Sequence, residues 1–204
     1  MPKLCGVRRG LLGGTFDPPH LAHLRAGEAA YHQLGLDVVT FMPAGTPWHK
    51  SGRPVTAADH RWQMTCLAAE PVEYFEADRR EVSRPGWTYT VDTLETFPDD
   101  EDVCLILGAD AAANVQTWHR WRDVLDRVTL AVVPRPGTEG AEVTVATGGA
   151  HVWLDTAKLN VSGSMIRALA ARGRSYRFLV PEAVWRYGEE HHVYDGSSLR
   201  SDAR

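Results

Sequence analysis

Cysteine is scarce in this chain of 204 residues, and the three cysteines that are present form no recognisable pattern. Cys5, Cys66 and Cys104 are an odd number, they are widely separated, and no C-x-x-C pair occurs. This spacing predicts neither a disulfide framework nor a zinc site held by cysteines. A domain of this length buries roughly 70% of its unfolded surface, so we expect a stable core without covalent cross-links.

Long apolar runs and an excess of positive charge are also missing. No apolar run approaches the length of about 18 residues that a membrane span requires, and no signal-peptide pattern is present. Together with the few cysteines, this predicts a cytoplasmic protein that does not bind membranes. The net charge of −4 argues against a nucleic-acid binder, because such proteins display a basic excess. If the ligand is anionic, cationic side chains must be concentrated locally.

What the sequence does contain is a regular alternation of strand and helix patterns. Apolar strand patterns occur at 7–12, 37–42, 103–107 and 128–133, with helical patterns between them. This alternation predicts an α/β fold with a mainly parallel sheet. We expect one domain over residues 1–195 and a flexible tail over residues 196–204.

The remaining segments carry weaker patterns. A helix over about 58–69 is predicted to begin with a cap formed by Thr56 and Asp59, and Gly35 is predicted to end the first helix. The Gly/Thr-rich stretch 137–149 predicts a loop with a short strand. Weak strand, short helix and closing helix patterns are found at 74–82, 91–97, 162–172 and 181–190.

Residues 11–23 (LLGGTFDPPHLAH) form the most informative stretch. Gly13 and Gly14 lack a Cβ atom, so the backbone can approach a ligand closely at a strand exit. The Asp-Pro-Pro sequence predicts a turn and a helix start, after which His20 and His23 share one face. Free N–H groups and the positive end of the helix dipole favour phosphate there. The alternative is a helix cap with two surface histidines.

This stretch fits neither the Walker sequence nor G-x-G-x-x-G. It resembles the GGTFDPxHxGH signature of the nucleotidylyltransferases, which are relatives of the class I aminoacyl-tRNA synthetases; Ala22 stands where that family usually has glycine. The resemblance implies a Rossmann-like doubly wound sheet with a small C-terminal helical region. It also implies that His20 and His23 contact the triphosphate of ATP. The residues that it assigns to ATP binding are Gly13, Gly14, Thr15, Phe16 and Asp17.

The loop after the second strand pattern, residues 43–50 (PAGTPWHK), resembles the P-x-x-x-P-x-H-K loop of nicotinate mononucleotide adenylyltransferases. Residues 61–64 (RWQM) continue like the R-x-x-M helix of that family. The resemblance implies that Lys50 supplies positive charge to the triphosphate. A solvated loop lysine is the alternative.

Residues 88–94 (TYTVDTL) resemble the TYT-x-D-T-L segment of the same family, which implies that Thr88 and Tyr89 line the pyridine pocket. Hydroxyls and free N–H groups donate to a carboxylate, and an aromatic face holds a flat ring. A carboxamide would instead bring donors towards donors and be disfavoured. A capped helix behind a half-buried tyrosine is the alternative.

Further along the chain, Gly108 and Asp110 followed by Trp118 and Trp121 resemble the G-x-D…W-x-x-W pattern of this family. The resemblance implies that Gly108 and Asp110 bind substrate, with Asp110 on the ribose hydroxyls, and that Trp118 stacks on the pyridine. We expect Trp121 in the core, because two tryptophans three apart usually mark a packed helix face.

Residues 161–167 (VSGSMIR) form a second predicted anion site, with serines at a helix start and a basic residue one turn later. They resemble the I-S-S-[ST]-x-[IV]-R motif of the family, with Gly163 in place of one serine. Ser162 and Ser164 are candidate ATP ligands, and the Arg167 guanidinium can fork onto phosphate oxygens. Arg135 follows a buried strand at a ligand-facing exit and is a further candidate for ATP.

The resemblance implies transfer of the adenylyl group of ATP to nicotinate mononucleotide. The acceptor phosphate is mostly dianionic near pH 7, because its second pKa is about 6, and so needs no general base. Mg²⁺ is expected mainly on the ATP phosphates, with no metal site in the protein. Oligomeric state stays open, with a homo-oligomer allowed.

Two other functions are alternatives to adenylyl transfer to nicotinate mononucleotide. Another nucleotidylyltransferase, such as the phosphopantetheine enzyme, and a catalytically silent nucleotide-binding regulator are the alternatives. His20 and His23 with Asp17 lack the usual spacing of zinc ligands. The sequence contains no G-x-S-x-G motif, which argues against a serine hydrolase. The central expectation is that two helix starts, near His20 and near Ser162, face one crevice.

Overall fold

A computed structural model describes residues 6–46 and 55–195 of the protein. Six strands form one sheet in the order β3-β2-β1-β4-β5-β6, and every neighbouring pair is parallel. The strands are Arg8–Gly14 (β1), Val38–Pro43 (β2), Phe75–Ala77 (β3), Asp102–Gly108 (β4), Thr129–Val133 (β5) and Val152–Trp153 (β6). The predicted α/β fold with a parallel sheet is confirmed.

The described part of the chain contains eight α-helices. They are Leu21–Leu34 (α1), Ala58–Ala69 (α2), Thr90–Leu94 (α3), Ala109–Ala113 (α4), Trp121–Arg127 (α5), Gly140–Thr147 (α6), Gly163–Ala170 (α7) and Glu182–Glu190 (α8). Short 3₁₀ turns occur at Val115–Thr117 and Arg177–Leu179. Within residues 6–46 and 55–195, the model has no helix with the length and apolar content of a membrane span.

The strand order reverses between β1 and β4, which pair side by side although β2 and β3 lie between them in sequence. In open parallel sheets a crevice forms at such a point, beyond the carboxyl ends of the strands. β1 ends at Gly14 and β4 ends at Gly108. The loops that follow these two glycines are therefore placed beside a common crevice.

Both faces of the sheet are buried, as the continuous apolar strand runs predict. Alternate residues of β4 point to opposite faces: Leu105 and Leu107 belong to one apolar cluster, whereas Cys104 and Ile106 belong to the other. A third apolar cluster, called here the C-terminal cluster, joins α2 to the end of the chain. It includes Met64, Ile166, Tyr176, Val184 and Tyr194.

One segment differs from its prediction. The stretch 137–149, predicted as a loop with a short strand, contains α6 instead, and the short strand β6 follows it. The Thr144 and Thr147 hydroxyls donate to the carbonyls four residues earlier, so they do not compete with the helix. Val143 is buried, which stabilises the helix through packing that a Gly/Thr-rich composition conceals.

Of the two predicted helix ends, one is confirmed and one is wrong. Gly35 ends α1 in the left-handed conformation with φ 60°, as expected of a C-terminal glycine. The residue before α2 is Ala57, without a side-chain cap. Thr56 instead donates its main-chain N–H to the Asp17 carboxylate, and Asp59 pairs with Arg79. Neither predicted residue therefore caps α2 with its side chain, although Asp59 lies in the first turn of the helix.

Candidate active site

The loop after β1 is anchored by a buried aromatic ring. Phe16 has a left-handed backbone with φ 49°, which is uncommon outside glycine, and its ring contacts the rings of Phe41 and His23. Phe16 is 1% exposed. Its ring therefore supports the loop from the core, and the neighbouring main chain is left to face the crevice.

His20 and His23 meet at the start of α1, as predicted. His20 is the residue that precedes the helix, and its main-chain N–H donates to Nδ1 of His23 at 3.1 Å. The two imidazole rings stack with their centroids 3.6 Å apart and their planes at 18°. Because Nδ1 of His23 accepts a hydrogen bond, a neutral His23 ring carries its proton on Nε2.

His20 is buried and uncharged near neutral pH. It is 2% exposed. Burial lowers its pKa to about 4, and the positive charge of Arg135 acts in the same direction. Its Nδ1 has no hydrogen-bond partner among the described residues. A buried polar atom of this kind is commonly explained by a ligand or water in the adjoining cavity.

The second predicted helix start is also present. Ser162 precedes α7, and its Oγ accepts from the main-chain N–H of Met165 at 3.3 Å and lies 3.1 Å from Oγ of Ser164. Arg167, one turn further along α7, donates to the carbonyl oxygen of Asp17 at 2.5 Å. The start of α7 is therefore held directly against the loop that precedes α1.

At this contact, a steric constraint explains why glycine occupies position 163. A Cβ atom built on Gly163 would lie 2.6 Å from the Asp17 carbonyl oxygen. The serine that the family usually has at this position does not fit this backbone without a shift of the loop. Glycine in place of the serine of the motif therefore allows α7 to pack closely against the loop that contains Asp17.

These elements enclose a first cavity of about 340 Å³. It is lined mostly by residues that the sequence had singled out: Thr15, Phe16, Asp17, Pro18, His20, His23, Val55, Asp110, Arg135, Ser162, Gly163, Ser164 and Arg167. The two helix starts near His20 and Ser162 therefore face one crevice, as expected.

A second cavity of about 260 Å³ adjoins the first. Its described lining is more apolar and includes Leu11, Gly13, Gly14, Met42, Glu81, Thr88, Thr90, Gly108, Ala111 and Trp118. Thr15, His23, Asp110 and Arg135 line both cavities. The shared wall makes the two cavities halves of a single binding cleft.

Asp110 and Arg135 meet at this shared wall. Oδ1 of Asp110 lies 3.7 Å from Nε of Arg135. Gly108 ends β4 directly below them: a Cβ atom there would lie 2.6 Å from Oδ1 of Asp110 and 2.9 Å from Nε of Arg135. The absence of a side chain at position 108 therefore leaves the space that these two groups occupy.

The predicted pyridine pocket is only partly as expected. Trp118 and Thr88 line the second cavity, but the Thr88 hydroxyl donates to the carbonyl of Thr46 at 3.2 Å. Tyr89 is not among the described residues that line it. Its ring packs against the first apolar cluster and lies 4.7 Å from the ring of His119. The segment 88–90 therefore meets the cavity through its threonines.

Trp121 and Lys50 complete the predicted residues. Trp121 opens α5 and is partly exposed, with the Arg122 guanidinium 4.3 Å above its ring, so its expected place in the core is wrong. Trp118 is the tryptophan that packs on the apolar cluster. Lys50 lies outside the described residues, and its proposed contact with the triphosphate stays a prediction.

Arg61 has a role that sequence reasoning missed, although the R-x-x-M resemblance marked its position. The side chain is 1% exposed. Its guanidinium donates to four main-chain carbonyls, those of Thr15 at 2.9 Å, Ala44 at 2.6 Å, Gly45 at 2.8 Å and Thr56 at 2.8 Å. Arg61 thus fastens the loops after β1 and β2 to the start of α2.

Glu81 was also missed, because nothing in its spacing distinguishes it from a surface carboxylate. It lines the second cavity, and its Oε1 accepts a hydrogen bond from the Thr93 hydroxyl at 2.6 Å. Burial raises its pKa to about 7, against the opposing effect of that hydrogen bond. One residue that lines the second cavity therefore has a side-chain carboxyl group with a pKa near neutral pH.

The described residues, 6–46 with 55–195, contain no group of three or more His, Cys, Asp or Glu side chains arranged to hold a metal ion.

The sequence is similar to those of known proteins over most of its length. A family model described as cytidylyltransferase-like matches residues 11–169. A probable nicotinate-nucleotide adenylyltransferase of Thermoanaerobacter sp. (strain X514) is 36% identical over 199 residues, covering 92% of this chain and 94% of the relative. A protein of the same description from Streptomyces coelicolor is 38% identical over 188 residues, covering 91% and 100%.

Among solved structures, nicotinic acid mononucleotide adenylyltransferase of Plasmodium falciparum complexed with NaAD is similar with a TM-score of 0.79. The two proteins are 15% identical, and the match covers 92% of this chain and 97% of the other. The same enzyme complexed with APC gives a TM-score of 0.77. At this level of identity the likeness shows the fold.

Proposed function

Because the chain belongs to the cytidylyltransferase-like family, and within it to the nicotinate-nucleotide adenylyltransferases, we propose that it adenylylates nicotinate mononucleotide. The adenylyl group comes from ATP, and the products are nicotinate adenine dinucleotide and pyrophosphate. The reaction is a step in the synthesis of NAD.

The observation that carries the proposal is the cleft made of two unlike cavities with one shared wall. The first cavity has two helix starts and the guanidinium groups of Arg135 and Arg167, which suit a triphosphate. The second is more apolar and contains Trp118, which suits a flat pyridine ring. The α-phosphorus of ATP, placed at the shared wall, would lie between the rest of the triphosphate and the attacking phosphate of the mononucleotide.

The chemistry follows from this placement. An oxygen of the mononucleotide phosphate attacks the α-phosphorus of ATP in line, a new P–O bond forms, and the bond to the leaving pyrophosphate breaks. The protein's task is to position the reactants and to offset negative charge on the pentavalent centre and on pyrophosphate. His20, His23, Arg167 and Lys50 are proposed for this role, with neutral His20 acting as a hydrogen-bonding group rather than as a cation.

The remaining assignments complete the proposal. ATP is held by the main chain of the loop after β1 and by the start of α7, and the pyridine nucleotide by the shared wall and second cavity. The ATP-binding residues are Gly13, Gly14, Thr15, Phe16, Asp17, Arg135, Ser162 and Ser164. The substrate-binding residues are Thr88, Gly108, Asp110 and Trp118, with Tyr89 supporting the wall from behind.

Mg²⁺ and a cytoplasmic location belong to the same proposal. The described cleft lining includes the exposed carboxylate of Asp110, which already lies near Arg135, the half-buried carboxyl of Glu81 and the buried carboxylate of Asp17. This donor set fits a Mg²⁺ ion that is coordinated chiefly by triphosphate oxygens and water and that neutralises charge on the leaving pyrophosphate.

The test is pyrophosphate release with ATP, Mg²⁺ and one acceptor at a time: nicotinate mononucleotide, nicotinamide mononucleotide or phosphopantetheine. We expect the fastest release with nicotinate mononucleotide. His20→Ala should abolish most of it, while His32→Ala, an exposed histidine of the same helix α1, should not. Release with phosphopantetheine and with neither pyridine mononucleotide would overturn the assignment.

A further inference from the structure

The carboxylate of Asp17 lies inside the protein although it belongs to the loop that faces the first cavity. Its side chain is 2% exposed. Oδ1 accepts a hydrogen bond from the Tyr194 hydroxyl at 3.1 Å, and Oδ2 accepts from the main-chain N–H of Thr56 at 3.3 Å. Oδ2 also lies 3.4 Å from a terminal nitrogen of Arg167. Both oxygens are thus held by the chain itself.

Tyr194 reaches this carboxylate from the opposite end of the sequence, 177 positions away. It follows α8 and is buried in the C-terminal cluster, where its hydroxyl also lies 3.6 Å from the sulfur of Met64. Burial and the neighbouring Asp17 carboxylate raise the pKa of Tyr194 well above its ordinary value. The hydroxyl therefore keeps its proton and donates a hydrogen bond to Asp17.

Arg167 is the group on which these contacts converge at the cavity. One terminal nitrogen donates to the carbonyl of Asp17 at 2.5 Å and also lies near its carboxylate, while the side chain as a whole is 29% exposed. Part of the fork is therefore fixed and part remains at the cavity wall. An arginine held in this way loses less rotamer freedom when it binds a phosphate.

We propose that Tyr194 is a positioning residue for adenylyl transfer: its hydroxyl fixes the Asp17 carboxylate, and Asp17 in turn fixes the Arg167 guanidinium at the triphosphate. The proposal rests on the function proposed above. It assigns to the segment after α8 a role in catalysis, and it makes Asp17 a support for Arg167 rather than a direct ligand of ATP through its carboxylate.

The first test compares Tyr194→Phe with Tyr176→Phe. Tyr176 is a matched control because it is buried in the same cluster and its ring contacts Tyr194. Its hydroxyl, however, faces Gly188 instead of Asp17. A hydrogen bond to a charged group is strong enough that we expect kcat/KM for ATP to fall about tenfold in Tyr194→Phe. KM for nicotinate mononucleotide should change less than about twofold.

Thermal unfolding of the two variants separates positioning from folding. If Tyr194→Phe and Tyr176→Phe have similar melting temperatures and only the former loses efficiency with ATP, the positioning role is supported. Equal kinetics in the two variants, or an equal loss for both substrates, would overturn it.

A double-mutant cycle tests whether Tyr194 acts through Asp17. In an Asp17→Asn background, Tyr194→Phe should have little further effect on kcat/KM for ATP, because the carboxylate that transmits it is gone. The same non-additivity is expected in an Arg167→Lys background, which serves if Asp17→Asn does not fold. A full tenfold effect in both backgrounds would contradict the proposal.

Failure of this inference and failure of the proposed function are distinguishable. Wild-type protein that releases no pyrophosphate with any pyridine mononucleotide would refute the function itself. An active wild-type enzyme in which Tyr194→Phe behaves like Tyr176→Phe would refute only the role of Tyr194.

Discussion

At His20, position and burial together determine the chemistry. The residue stands at the start of α1, where a positive dipole end favours an anion, yet its ring is buried and its pKa is lowered to about 4. A neutral imidazole binds phosphate by hydrogen bonding, and it does so equally well from pH 6 to pH 8. In the proposed function, positive charge at the triphosphate then comes from Arg135, Arg167, Lys50 and Mg²⁺.

His20→Ala is expected to lower kcat by about 10²-fold, the typical effect of removing one pre-positioned hydrogen-bonding group from a transition state. Titration of His20 should contribute no inflection near pH 6.5 to the wild-type rate, because its folded-state pKa is about 4, so any inflection there, such as that of the acceptor phosphate, should persist in His20→Ala. Steady-state rates between pH 5.5 and 8.5 check both points. An inflection near pH 6.5 that disappears in His20→Ala would contradict a neutral His20.

The same lowered pKa has a consequence for stability. Because the pKa of His20 falls from 6.5 to about 4 on folding, its contribution is fully present above pH 6.5 and is lost as the pH falls through 4. His20 therefore adds to acid unfolding.

Among the secondary-structure elements, α3 is joined to the second cavity by Glu81. The Thr93 hydroxyl on the buried face of α3 donates to Glu81, and the Glu81 carbonyl packs closely against Gly45. Arg84, Asp78 and Arg80 are the charged groups that act on the carboxyl. A carboxyl with a pKa near 7 is half protonated at physiological pH. The charge of the Glu81 side chain therefore changes with pH near neutrality.

Glu81→Gln is expected to remove a pH dependence of stability. Because folding raises the pKa from 4.5 to about 7, the wild-type free energy of unfolding should fall as the pH rises through that window, by roughly 3 kcal/mol. The neutral glutamine keeps an acceptor for Thr93 and does not titrate, so its profile should be flatter.

Urea unfolding at pH 5 and pH 8 measures this effect, with Glu73→Gln, an exposed glutamate, as the matched control. The control should follow the wild type. Parallel pH profiles for Glu81→Gln and the wild type would show that the Glu81 pKa is not raised.

On the scale of the whole molecule, the cleft is an assembly of loops that are distant in sequence. The exits of β1 and β4 come together because the strand order reverses there, and the C-terminal cluster brings α7 and Tyr194 to the same place. Arg61 joins two of these loops through four main-chain carbonyls. Its loss would leave those buried acceptors without a donor.

Arg61→Ala is expected to lower the free energy of unfolding by about 3–5 kcal/mol, because unsatisfied buried polar groups are costly. Arg61→Lys should lower the free energy of unfolding by less than Arg61→Ala does, but it should still be less stable than the wild type. The reason is that an ammonium group lacks the fork that reaches several carbonyls. Arg79→Ala, which breaks an exposed ion pair with Asp59, should cost less than about 1 kcal/mol. Urea unfolding of the three variants checks this order, and equal effects of Arg61→Ala and Arg79→Ala would contradict it.

Local patterns in the sequence determined the elements and much of the site. Continuous apolar runs such as 103–107 predicted buried parallel strands, and Gly35 and Ser162 marked helix ends, because these features depend on neighbours a few residues away. The long motif around His20 and His23 and the later one around Arg167 indicated the two helix starts. The resemblance to a family, rather than any spacing, supplied the substrates.

Only the tertiary structure decided which distant groups meet, and this changed the chemistry of several residues. Burial made His20 neutral and Glu81 titratable near pH 7, Tyr194 enclosed the Asp17 carboxylate, and packing turned part of the 137–149 stretch into α6. None of these outcomes has a local signature, because desolvation and long-range hydrogen bonds depend on partners up to 177 positions away.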